Sequence, residues 1–126
     1  MIWKTIRLEL ASDAQFLTGS ASRAFLLHLP VDDHGAIDAD AIRRSPTHAT
    51  VRRFWASEPD QAGHVECAHD VFIVRCGQSR TPETILHLGR GPLRTGSLIT
   101  VRDEQGAPVL FRVASMQGLH ASEPAK

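Results

Sequence analysis

The chain has 126 residues, 42% of them hydrophobic and 22% charged, with a formal net charge of zero. That length suits one domain with its own core, the composition excludes a disordered chain, and the balanced charge excludes a global field drawing the protein to nucleic acid or membranes. No apolar run approaches the roughly 20 residues of a membrane-crossing helix, and residues 1–7 mix apolar and charged side chains, unlike a signal peptide, so a cytoplasmic location is expected.

In chain order, residues 2–10 alternate: Ile6, Leu8 and Leu10 point one way, Thr5, Arg7 and Glu9 the other, as in a half-buried strand. Residues 11–22 read as a loop, with a Ser12/Gln15 capping pattern that allows one helical turn. Residues 23–31 read as a second strand, with Phe25, Leu27 and Leu29 on one face and Leu26 and His28 on the other. Pro30 places that strand's end at an edge or an exit. Asp32-Asp33-His34-Gly35 carries type I turn chemistry. Residues 38–44 are the one predicted helix. Asp38 caps it, Arg43 and Arg44 meet the dipole in its last turn, and Pro46 ends it. Two turns need tertiary support, which assigns Ile42 to the core.

Residues 49–55 read as a strand and 57–63 as a polar connection. A long strand-like stretch over 64–76 follows, breakable at His69-Asp70, then a short strand over 83–88 and a loop over 89–92. Residues 97–103 and 107–116 form a hairpin across Asp103-Glu104-Gln105-Gly106, a second Asp-x-x-Gly turn. Its inward face is Ile99, Val101, Val109, Phe111 and Val113. The expected fold is mainly β: a small single-domain barrel or sandwich of about seven to nine short strands with one short helix, over residues 1–117, with 118–126 as a flexible tail.

Charge is segregated along the chain. Residues 41–55 carry Arg43, Arg44, Arg52 and Arg53 without an acid; residues 56–70 carry Glu58, Asp60, Glu66 and Asp70 without Lys or Arg. Arg52-Arg53-Phe54-Trp55, with Arg43, Arg44 and Arg75, is the candidate surface for an anionic partner, since guanidinium forks suit phosphate and a ring can stack on a base. Arg23, beside Gly19-Ser20-Ala21-Ser22, is a second anion-binding candidate, against the plainer reading of a tight loop entering a strand. The candidate metal ligands are His64, Cys67, His69 and His87, with Glu66, Asp70 and Cys76 nearby in sequence. Strand alternation splits them, because His64 and Glu66 face opposite to Cys67 and His69. Asp32 to Asp40 fails as a calcium loop: Pro30 and Ala41 would fall at ligand positions, and a turn plus a helix cap explains the acids. Cys67 and Cys76 are expected as two buried, reduced thiols. No cofactor is expected; Cys67 and His69 share a strand face, but a spacing of roughly 6.5 Å is too long for a nucleophile–base contact unless the strand kinks, and nothing selects Glu9, Glu66 and Glu83 as an acid–base pair.

Leu93-Arg94-Thr95-Gly96 followed by the terminal hairpin resembles the closing hairpin of PUA-like and other small β-barrels. With Gly19 to Arg23, Leu29-Pro30-Val31-Asp32 and Val51-Arg52-Arg53-Phe54-Trp55, the chain is similar to small proteobacterial proteins of unknown function, which implies a bacterial source and no particular activity. The function expected is a non-catalytic binding module for a protein or small ligand, with no membrane partner. The alternatives are an RNA- or single-strand-binding barrel using its arginines, and a metal-dependent enzyme or sensor.

Overall fold

The structure, a computed structural model, describes residues 1–12, 19–68, 71–77, 84–89 and 92–118. The two-residue periodicity at the start of the chain becomes β1 (Ile2–Ser12), which pairs antiparallel with β2 (Ser20–Val31). Six more strands follow: β3 (Thr50–Trp55), β4 (Gln61–Ala68), β5 (Val71–Cys76), β6 (Thr84–Leu88), β7 (Leu98–Asp103) and β8 (Pro108–Gly118). Each pairs antiparallel with the next, and β8 returns to β1, so the sheet closes into an eight-stranded barrel. Closure selects the barrel over the sandwich. Register shifts in β1 at Glu9/Leu10 and Arg7/Leu8 bend the strand that carries the seam.

Several strand ends differ from expectation. Ser20, Ala21 and Ser22 belong to β2, not to a loop, and Gln61, Ala62 and Gly63 belong to β4, not to a polar connection. These residues are small or polar, so no apolar alternation marks them. Gly118 is not tail: it closes β8, paired with Lys4. As Pro30 suggested, its end of β2 is an exit: the β2–β3 ladder stops at His28. The expected break at His69-Asp70, the turn after Ser12 and the tail over 119–126 fall outside the described residues.

The inward faces meet in a dry lumen. Among the described residues no polar or charged residue is buried. Phe25 and Phe111 meet edge to face at 5.5 Å and 70°. Eight strands make a barrel just wide enough for side chains to fill. The space left between Leu8, Phe25, Leu27, Val74, Leu86 and Phe111 is about 10 Å³, barely enough for a single water.

One end is plugged by the β2–β3 connection. It contains α1 (Ala39–Arg44) and a 3-10 turn (Pro46–His48). Asp38 Oδ1 accepts from the Ala41 amide at 3.0 Å, as a helix cap should, and Ile42 is buried with Ile37 and Leu93 in the core cluster. The two Asp-x-x-Gly turns are the same object. The side chain of Asp32 accepts from the amides of His34 and Ala36; that of Asp103 accepts from Gln105 and Ala107. The glycine at each fourth position has φ near +85°, which L side chains rarely adopt: +86° at Gly35 and +85° at Gly106. The amides of Ala36 and His34 hold the Asp32 carboxyl below the usual carboxylate range. This turn and the Asp38 cap account for the acids that resemble a calcium loop.

Candidate functional site

Strand β3 decides what its aromatic and basic residues can do. Val51 points into the lumen, so Arg53 and Trp55 share its side, while Thr50, Arg52 and Phe54 lie on the outer wall. Trp55 packs on Phe25 with ring centroids 6.0 Å apart. The Arg53 guanidinium lies 4.4 Å from the Trp55 ring centre and donates to Glu58 at 3.0 Å. Only 12% of the Arg53 side chain is exposed. Arg23 is in register with Trp55 and donates to Ser20 Oγ at 3.1 Å. Arg52, by contrast, has 60% of its side chain exposed, 5.3 Å from the Phe54 ring centre and 3.8 Å from Asp60. Arg43 and Arg44 are exposed on α1, and Arg43 lies 3.3 Å from Asp40. The single arginine–tryptophan surface read from the sequence is therefore split: Arg23, Arg53 and Trp55 lie at the end opposite α1 on the lumen side, and Arg43, Arg44 and Arg52 lie outside.

Two hollows adjoin on the outer wall, sharing His64 and Glu66. The larger, about 570 Å³, runs from Thr50 and Arg52 across Ala62, Gly63 and His64 to Arg75. Its floor is low because the residues there are small. Gly63 lies so close to β5 that a Cβ would collide with the Arg75 carbonyl oxygen. A glycine inside a strand commonly marks such a close approach of two backbones. The second hollow, about 330 Å³, lies between β4 and the plug, lined by Ile42, Arg43, Pro46 and Cys67. It exists because β3 is shorter than β4. The last β3–β4 pair is Thr50 with His64, and the Val65 amide reaches back to the Ala49 carbonyl at 2.9 Å. Past that point α1 and the 3-10 turn replace a neighbouring strand.

Two ion pairs of this wall are long. Arg52 and Asp60 stand 3.8 Å apart, and Arg75 and Glu66 stand 3.7 Å apart. Both distances exceed hydrogen-bond range, and all four side chains are substantially exposed, so each pair contributes little to stability.

The described candidate metal ligands do not converge. His64 and Glu66 lie outside on β4, and the Cys67 thiol turns the other way toward the Ala39 carbonyl, 3.8 Å distant. His87 stands opposite Ile73, which stands opposite Glu66, so two strand spacings, about 9.5 Å, separate His87 from β4. His69 lies outside the described residues. Among the described residues no group of three His, Cys, Asp or Glu could hold a metal ion.

Both cysteines are free, Cys76 buried and Cys67 only partly so. Cys67 faces Phe72 and Cys76 faces Gly63 in the β4–β5 ladder. They are thus about 13 Å apart along the strands, beyond the reach of a disulfide. Burial raises both thiols, Cys76 to about 11 against the opposing pull of Arg53.

Sequence reading singled out Arg43, Arg52, His64, Glu66, Cys67 and Arg75, and the structure gathers them around the two hollows. It missed Thr50, Ala62 and Gly63, which shape the larger one. The available signal was Gly63 itself, had the strand been started at Gln61. Among the described residues no helix is long and apolar enough to cross a membrane. Comparison with protein-family models, curated proteins and solved structures found no match.

Proposed function

We propose that the chain is a non-catalytic binding module that engages a protein or small ligand on the outer wall of β3, β4 and β5, in the cytoplasm of a bacterium. The carrying observation is the contrast in space. Among the described residues the space inside, between Leu8, Phe25, Val74 and Phe111, is about 10 Å³, while the outer wall offers adjoining hollows of about 570 and 330 Å³ that meet at His64 and Glu66. Eight-stranded barrels that carry a ligand inside need a lumen their side chains do not fill. The cytoplasmic part of the reading draws on two thiols too far apart to pair, and the bacterial part on the proteobacterial resemblance.

The test is a fragment screen by amide chemical-shift mapping on the isotope-labelled full chain. Binders should move the amides of Thr50, Arg52, Ala62, His64 and Arg75. Hits confined to lumen-facing residues such as Leu27 and Val101 would overturn the reading.

A single-stranded nucleic-acid reading keeps one supporting observation, the exposed Arg52 over Phe54, with Arg43 and Arg44 also exposed on α1. It loses Trp55, which packs on Phe25, as a stacking platform. It requires oligonucleotide binding that weakens steeply with salt.

A further inference from the structure

The ladders that close the barrel are unequal. β1 and β2 pair over nine residues, and β5 and β6 over five. Between β6 and β7, among the described residues, only Leu86 with Asp103 and His87 with Arg102 are paired. The cause is an offset. β6 ends at Leu88, and β7 leaves the wall at Asp103 for its Asp-x-x-Gly turn, so the two strands overlap only at their C-terminal ends. Leu88 with Val101, and Gly89 with Thr100, would continue the register, but neither pair forms.

Of the two pairs, one carries backbone hydrogen bonds. In an antiparallel ladder a residue's N–H and C=O point to the same side, and that side alternates along the strand. The Asp103 amide donates to the Ala107 carbonyl, on the β8 side, at 2.9 Å. Val101 therefore bonds β8 as well, and Arg102 between them faces β6. The other wall gives the same result. The Val65 amide donates to the Ala49 carbonyl, on the β3 side, which turns Glu66 toward β5, Ile73 toward β4 and Val74 toward β6. Leu86 then bonds Val74, and His87 faces β7. His87 and Arg102 are thus the pair that exchanges hydrogen bonds, and among the described residues they are the whole backbone closure at this join. Behind them the buried side chains of Leu86, Leu88 and Val101 line the small space inside the barrel.

We propose that the barrel opens at this join: β6 and β7 part as a gate while the other seven ladders hold, uncovering Leu86, Leu88 and Val101. Local opening follows the path that breaks the fewest interactions. Parting β6 from β7 breaks one hydrogen-bonded pair, whereas the next shortest ladder, between β3 and β4, holds four residue pairs. β6 stays attached to β5, and β7 to β8, because Leu86 and Val101 bond away from the join. The gate lies apart from the hollows of β3–β5 and does not depend on what they bind.

The experiment is native-state hydrogen exchange on the isotope-labelled full chain, with denaturant raised in steps below the unfolding transition. Relative to their intrinsic rates, the amides of His87 and Arg102 should exchange about a hundredfold faster than those of Leu86 and Val101, with little dependence on denaturant. Leu86 and Val101 are internal controls, lying on the same strands but bonded to β5 and β8. Leu27, in the β1–β2 ladder, reports global unfolding. If His87 and Arg102 exchange as slowly as Leu27, the join opens only when the chain unfolds, and the proposal fails. If Leu86 and Val101 exchange as fast as His87 and Arg102, the strands detach whole instead of parting as a gate, and it fails as well. A second measurement combines His87→Cys and Arg102→Cys with Cys67→Ala and Cys76→Ala. Cα atoms in a hydrogen-bonded antiparallel pair stand about 5.5 Å apart, within reach of a disulfide. Oxidation should slow exchange at positions 87 and 102 at least tenfold over the reduced form of the same variant. Equal rates in the two forms would overturn the gate.

Discussion

Arg52 and Arg53 are neighbours in the chain and belong to different regions of the molecule. Arg53 lies on the lumen side, its guanidinium against Trp55 and hydrogen-bonded to Glu58. Arg52 lies on the outer wall, loosely paired and beside a hollow of about 570 Å³. The lumen is filled with apolar side chains; the outer wall of β3–β5 is concave, charged and open. The difference shows that in this barrel one face of each strand is committed to stability and only the other is free to recognise something. Substitutions inside should cost stability, and substitutions outside should change binding alone.

The largest effect is expected from Phe111→Ala. The ring is 1% exposed and packed on Phe25, and its removal should cost about 3–5 kcal/mol in chemical denaturation. A loss below 1 kcal/mol would mean that the lumen is not the stabilising region. Gly63→Ala tests the boundary between the two regions, because its new methyl group must push β4 away from the Arg75 carbonyl. It should cost about 1–3 kcal/mol and alter the amide shifts of the hollow together. Asp38→Ala removes the helix cap of the plug and should cost about 1 kcal/mol, visible as a lower denaturation midpoint.

Cys76 sharpens the comparison through pH. Its thiol is raised from 9.0 to about 11 by burial, so between those values the folded chain holds a proton that the unfolded chain has released. Stability from this group is complete below pH 9 and falls as pH rises toward 11. The chain contains no tyrosine and only two lysines, so few other groups titrate in that window. Cys76→Ala should flatten the decline measured by denaturation across pH 9–11. The smallest stability effect belongs to Arg52→Gln: within about 0.5 kcal/mol of the parent chain.

Much of the scaffold was legible in the sequence for local reasons. Asp32 and Gly35, like Asp103 and Gly106, specify the same turn because an Asp side chain and a glycine at positive φ solve a problem confined to five residues. Asp38 and Ile42 likewise announce a capped helix with one buried face. Strand ends at Ser20 and Gln61 were not legible, since backbone pairing with a neighbouring strand, not side-chain pattern, makes them strand. The candidate site was legible only as an inventory. Arg52, His64, Glu66 and Arg75 were visible as chemistry, but their adjacency depends on which strand pairs with which and in what register.

By itself the sequence determined the alternation that separates an apolar face from a polar one, the two turns and the capped helix, because each depends on residues close together in the chain. Tertiary structure decided that eight strands close, that the space between Leu8, Phe25, Leu27, Val74, Leu86 and Phe111 shrinks to about 10 Å³, and that Arg52 and Arg53 part company. It also placed Gly63 against Arg75, and so left a hollow between two arginines 23 positions apart. Those outcomes come from register across strands and from the volume of side chains in a closed ring, and neither quantity exists until distant segments meet.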